Sequence, residues 1–371
     1  MSSKEETKKS SRIAAFDLLR GYFLISIIIN HLNYPSVASL LTMKGELFVS
    51  SAEGFFLISG IVLGIVRGAK LINKPFKNAA GLLLKRAGQL YLIYFISTAL
   101  FTLVGWWFFM DSPGLKPGIA SPDTPIHQLL WNIASFKYLY GWLDYLRLYI
   151  FFLLASPIAI WLLRKGLWWL VLAVSVLIWY FTPELGWPDN VYVQPYNWQV
   201  IFFSGLVIGF HWKNISTWWQ RLKKPLRVSI VTLVVGTAAA TLAFNIFLAF
   251  GGKINPEVYA FVGPVRDTLS PYFDKENLPL ARLSLFMLWF WASFWLFRKF
   301  EPFIVKWFGW LLQSFGGSSL YVYIIHGVLI FFVHLFLPKQ GYFINLLIAS
   351  GIVATIWLMI RYKVLMKVIP R

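Results

Sequence analysis

The stretch IAAFDLLRGYFLISIIINHLNY, residues 13–34, decides how the rest of the chain is read. It is long and apolar enough to cross a bilayer as a helix, since about 20 such residues span a hydrocarbon core of roughly 30 Å. Yet it holds Asp17, Arg20, Asn30 and His31. Polar groups inside a membrane span are costly, so each needs a reason. At about 100° per residue, Arg20 and His31 fall within about 20° of one helix face, roughly 16 Å apart along the axis. Asp17, three residues before Arg20, is placed to pair with it. The bland alternatives are a snorkelling arginine and an interfacial histidine.

Composition carries the same message outward from that helix. The 371 residues are 58% hydrophobic, 19% aromatic and 13% charged, with a mean hydropathy of +0.65. Soluble domains carry about 25% charged residues, so this chain cannot cover a water-facing surface and needs a bilayer as solvent. Nineteen Trp suit interfacial belts. The net charge of +19 sits between apolar spans. It reads as positive-inside topology and attraction to anionic lipid, and no basic stripe in a soluble domain points to nucleic acid. With no Cys, disulfides, thiolate nucleophiles and Cys-based metal sites are excluded. No small-x-small cleavage site follows the first apolar run, which is expected to be a retained helix rather than a signal peptide.

The fold expected is all-α, a polytopic membrane protein with about ten transmembrane helices in one bundle. After residues 13–34, spans are expected at 46–66, 89–110, 144–163, 167–181, 198–212, 228–250, 281–297, 319–337 and 342–360. Turn-rich loops, DSPGLKPGIASPDTP and TPELGWPDN, break the pattern, and residues 127–141 suggest a short interfacial helix. With the N-terminus inside, every inner segment is rich in Lys and Arg, which places both termini in the cytoplasm and the protein in the cell (inner) membrane. The domain expectation is a tail over 1–12, a transmembrane domain over 13–361 and a tail over 362–371.

Several residues could carry chemistry. The second span begins SSAEGFFLISGIVLG, residues 50–64. Glu53 lies at a depth comparable to His31, where a carboxylate can orient an imidazole and raise its basicity; its alternative is a structural partner of His31 or Arg147. Gly54, Gly60 and Gly64 permit close helix approach. Arg86 ends a basic cluster, either as a topology signal or as a phosphate ligand by forked donation. Asp144 and Arg147 open the fourth span and Gln199 the sixth. His326 and His334 sit in SLYVYIIHGVLIFFVH, residues 319–334, each a ligand-facing group or a satisfied core histidine. Tyr138, Tyr140, Trp142, Trp187, Tyr192, Tyr196 and Trp198 could stack on sugars or form an interfacial belt. No metal-binding pattern appears.

FDLLRGYFLISIIINH, with Arg20 and His31 in this spacing, resembles the first helix of the acyltransferase-3 superfamily of membrane acyltransferases. SSAEGFFLISG resembles their second helix and SLYVYIIHG their late His-bearing helix. RLYIFFLLASPIAIWLLRK and YNWQVIFFSGLVIG are similar to the middle helices of the OpgC-type branch, named for enzymes that succinylate periplasmic glucans. The resemblance implies ten core helices and transfer of an acyl group from cytoplasmic acyl-CoA to an extracytoplasmic sugar hydroxyl. It implies His31 as catalytic histidine, Arg20 as its paired arginine, Glu53 as the branch's acidic position and Arg86 as first arginine of a motif linked with acyl-CoA. That motif often carries a second arginine where Gln89 stands here. Relatives resembling heparan acetyltransferases share the D-x-x-R-G start, so succinyl and acetyl donors both stay open.

The expected function is therefore a membrane-bound O-acyltransferase. His31 is its general base, assisted by Glu53 and Arg20. Arg86, Arg147, Gln199, Asn30 and His326 are expected to contact substrate, Asn30 or Gln199 at an oxyanion. Acyl-CoA is the donor co-substrate, a glycan or glycolipid the acceptor, the lipid bilayer the partner, and no cofactor is tightly bound. The alternatives are a transporter or flippase for a glycan or lipid-linked sugar, using the same polar groups as a relay, and a structural membrane partner.

Overall fold

Two short apolar helices meet through four glycines at the centre of the molecule. The computed structural model describes residues 13–115, 118–181, 195–253 and 255–369. Helix α1 spans Ala14–Leu32 and α2 spans Ser51–Leu63, with a π-helical turn over Gly64–Ala69. After α3 (Phe76–Phe108), α4 (Ile126–Ala134), α5 (Asp144–Arg164) and α6 (Trp168–Tyr180) comes α7, Pro195–Phe210. A Cβ on Gly60 or Gly64 would run into the carbonyls of Phe202 and Leu206 on α7. One on Gly205 or Gly209 would run into the carbonyls of Leu57 and Ile61 on α2. Such reciprocal small residues four apart let two backbones touch, where dispersion and weak C–H···O contacts replace side-chain packing. The same device seats α1 against α12 (Glu301–Gly317), because Gly21 faces the Leu312 carbonyl and Gly316 that of Asp17.

The remaining helices are α8 (Trp212–Arg221), α9 (Lys224–Phe250), α10 (Pro256–Leu269), α11 (Leu280–Lys299), α13 (Ser319–Phe336) and α14 (Tyr342–Arg361). Among the described residues, eight helices are long and apolar enough to cross a membrane, and the fold is all-α. Two of the ten expected spans are short: α6 has 13 residues and α7 has 16, about 20 and 24 Å of helix against a core of roughly 30 Å. The loop TPELGWPDN lies outside the described residues.

Besides the segment after residue 212, which forms α8, three expected connections are helical. Helix α3 starts at Phe76, not near 89, because Ala79, Leu83, Ala87 and Leu90 repeat every three or four residues and bury one face. Its exposed Lys77 and Lys85 belong to a helix that continues past the apolar core. The connector after 300 is α12, whose Pro302 stands in the first turn, where a missing N–H costs nothing. Within the polar loop before residue 280, α10 is capped by Asn255, whose side chain accepts from the Glu257 amide at 2.9 Å.

The link between α1 and α2 is tied down at both ends. Asn33 ends α1 in the left-handed region, φ 53°, which asparagine tolerates. Asn345 of α14 donates to the Pro35 carbonyl at 3.0 Å. Farther on, Phe48 stacks on Phe273 at 4.4 Å between centroids, and Arg266 donates to Glu46 at 2.6 Å. These ties fix the last turn of α1, which holds Asn30 and His31.

Candidate functional site

The last turn of α1 meets the middle of α13, and there two histidines join. Nδ1 of His31 lies 3.0 Å from Nε2 of His326, with ring centroids 5.1 Å apart. The other nitrogen of His326, Nδ1, meets the backbone carbonyl of Tyr323. A carbonyl only accepts, so Nδ1 of His326 carries the hydrogen. In the neutral ring Nε2 is then the acceptor, and Nδ1 of His31 must donate to it. The neutral His31 therefore presents Nε2 as its basic nitrogen. This pairing fixes both the tautomer and the tilt of the His31 ring, the role that an orienting group plays for a general base.

Around the pair the walls are aromatic and closely packed. The amide of Tyr145 donates to the Tyr323 hydroxyl at 3.2 Å, which ties the start of α5 to α13. The Tyr145 ring lies 6.3 Å from that of His31 and 5.7 Å from Trp198. Trp198 and Tyr140 are buried in the core, so they serve packing, whereas Trp142 lines a cavity. Trp187 and Tyr192 lie outside the described residues.

That cavity, about 860 Å³, is lined by Asn30 and His31 together with Tyr34, Trp142, Asp144 and Lys339, among others. His334 also faces it, held by the Leu32 carbonyl at 2.9 Å between the rings of Tyr34 and Trp142. The Tyr34 hydroxyl donates to the Leu337 carbonyl at 2.7 Å. Burial pushes its pKa above the usual tyrosine value, which keeps it protonated and donating. The cavity thus offers an imidazole, a carboxylate, an amide and an ammonium to a polar ligand, a mixture suited to hydroxyl-rich molecules.

Glu53 occupies a different niche. One oxygen, Oε2, accepts from the Ser50 amide at 3.1 Å and from the Ser50 hydroxyl, the reach-back half of a capping box at the start of α2. The other, Oε1, accepts from Nε of Arg282 at 2.8 Å and from its Nη2. Arg282 also donates to the Phe273 carbonyl at 2.7 Å. Both side chains are buried. Glu53 is expected to orient His31; the structure sets its carboxylate against Arg282 of α11, and the His31 ring is bonded to His326. The sequence held two signals for this. Ser50-x-x-Glu53 before an apolar run is a capping-box pattern, and Arg282 is a cation early in an apolar helix.

The other expected residues scatter. Arg20 is buried on α1, about 16 Å below His31, where α1 packs on α12. Arg86 is half-buried on α3, roughly 33 Å of helix from the Phe108 end. Arg147 is buried one turn after Asp144, donates to the Phe136 carbonyl at 3.3 Å, and interacts electrostatically with Asp144 and Tyr94. Gln199 accepts from Ser175 at 2.5 Å and donates to the carbonyls of Ser175 and Tyr196 at 2.6 and 3.1 Å. Both amide hydrogens are committed to the α6–α7 seam, which leaves none for an oxyanion. Of the expected set, the structure brings together His31, His326 and Asn30.

Fold and site together define a polytopic all-α membrane protein with a histidine pair that opens on a polar cavity at one end of its bundle. The chain belongs to the OpgC protein family, whose model matches residues 12–368. No curated protein and no solved structure gives a significant match.

Proposed function

We propose that the protein is a membrane O-acyltransferase that moves an acyl group, succinyl or acetyl, from cytoplasmic acyl-CoA to a hydroxyl of an extracytoplasmic glucan. Membership of the OpgC family supports the reaction class and the acceptor. The observation that carries the mechanism is the 3.0 Å bond between His31 and His326 beside the cavity that His31 lines.

In this mechanism the acceptor sugar sits in the cavity with one hydroxyl on Nε2 of His31. As the hydroxyl oxygen attacks the thioester carbonyl carbon, Nε2 takes its proton. The carbon–sulfur bond then breaks, and the CoA sulfur leaves with the proton that His31 returns. Asn30 serves the oxyanion, a role supported by its position in the same turn and on the same cavity as His31. Asp144, the carboxylate on that cavity wall, offsets the transient imidazolium charge. Glu53 and Arg282 act at one remove by fixing the start of α2. The donor's phosphates bind at the opposite end of the bundle, with Arg86 and Arg20 the candidates.

The positive-inside pattern supports placing the cavity outside and both termini in the cytoplasm, and it supports the inner membrane as location. The test is turnover of an acyl-CoA panel by the purified protein in lipid nanodiscs, with a glucan acceptor. Wild type is expected to transfer, and His31→Ala, folded by size-exclusion, to lose about 10²–10⁴-fold in kcat. Near-normal turnover by His31→Ala would overturn the assignment.

A further inference from the structure

At the end of the bundle opposite the histidine pair, α8, α9 and α11 enclose a groove of about 660 Å³. Its wall is apolar, built from Ile230, Val234, Met287, Trp291 and Phe294. Two arginines, Arg227 and Arg298, stand on it. A smaller hollow of about 450 Å³ shares Arg227 and adds Lys224 and Lys299. No acidic residue is among those that line either space. Nε of Arg227 is buried and makes no hydrogen bond, a cost that an acceptor seated in the groove would relieve. From Arg227 to Val235 the wall runs about 12 Å along α9.

We propose that this groove binds one anionic glycerophospholipid, with an acyl chain along the apolar wall and the phosphate between Arg227 and Arg298. Three features select this occupant. The neighbouring α9 positions Leu226, Val228 and Leu233 are exposed and apolar, so the groove lies on a lipid-facing flank and is reached from the bilayer. The four cations have no anion among the lining residues to balance them. A zwitterionic headgroup would bring an ammonium against them, whereas an anionic one adds only attraction. Helix α8 adds Trp218 and Trp219 to the wall. Its polar face carries Lys213 and Arg221, the pattern of a helix lying in the interface. The site is independent of the acyl-transfer reading, since it contains none of the residues placed in that reaction.

The experiment is native mass spectrometry of the full chain in detergent, titrated with dioleoylphosphatidylglycerol or dioleoylphosphatidylcholine. Wild type is expected to retain one phosphatidylglycerol in preference to phosphatidylcholine. In the Arg227→Gln/Arg298→Gln variant that preference should shrink by about 10–30-fold, from roughly a tenfold factor per 1.4 kcal/mol and about 1 kcal/mol per basic residue. Val234→Trp, which fills the wall and leaves the cations, should weaken retention of both lipids. Equal retention of the two lipids by wild type would overturn the proposal without any variant. So would an unchanged preference in the double variant, or displacement of the lipid by CoA with the same arginine dependence, which would make the groove a donor site.

Discussion

Helices α2 and α9 both lie in spans of membrane length, yet 72% of the α2 window is buried inside the protein and 22% of the α9 window. The less buried helix is the more apolar of the two. In water that order would be reversed. In a bilayer the lipid-facing helix must be apolar all round, and the protein-facing one can afford Glu53, Ser59 and a row of glycines. The polar groups of the site follow this division. His31 and Asn30 lie on α1, Asp144 on α5 and His326 on α13, all with more than half of their windows buried. Helix α11 is the instructive exception: its window is 28% buried, and its Arg282 points inward to Glu53.

The contrast can be broken most violently at the glycines. Gly205→Leu drives a side chain into the Leu57 carbonyl, so no monodisperse folded species is expected by size-exclusion. Gly236→Leu on α9, where a Cβ meets nothing within 4 Å, should elute as wild type. Next in size is the buried ion pair. Arg282→Met strands the Glu53 charge and is expected to cost about 3–5 kcal/mol, while Glu53→Leu/Arg282→Met recovers most of it. A reversible unfolding assay would read this directly, and a double variant as unstable as the single one would refute the account. His326→Phe keeps a ring but removes the acceptor for His31. A fall of about 10²–10³-fold in kcat with little change in KM is expected, and His326→Gln, which can still accept, should retain part of the activity. The smallest effect belongs to the half-exposed pair outside the core. Arg266→Met, which leaves Glu46 its longer contact with Lys253 at 3.9 Å, should cost about 0–1 kcal/mol.

Much of this division could be seen in the chain itself, and some of it could not. Apolar length located the eight spanning helices because lipid imposes a composition on whatever faces it. The same rule hid α12 and the first turns of α3, where helix continues with basic or mixed residues beyond the apolar run. His31 and His326 each stood out as polar groups in an apolar stretch. Their bond could not be foreseen, because 295 residues separate them and only packing sets the distance. Glu53 stands out in the sequence by its depth, which suggests His31 or Arg147 as its partner. Its observed partner, Arg282, sits 229 residues away at the mouth of a helix that reads as ordinary lipid-facing sequence. Gln199 shows the reverse case: a polar residue in a span whose hydrogen bonds join neighbouring helices.

The bond from His326 to the Tyr323 carbonyl also decides where a proton can go. A relay that conducts must pass its proton to a group able to receive one, and this chain ends on an amide oxygen. A proton passed from His31 to His326 thus meets no onward acceptor at Tyr323 and returns by the nitrogen on which it arrived. On the proposed chemistry it departs with CoA as a thiol hydrogen, and no proton current accompanies the reaction. Turnover in sealed proteoliposomes should therefore keep its rate when a protonophore collapses an imposed pH gradient, making the protein a membrane-spanning catalyst that carries its acyl cargo across without conducting protons.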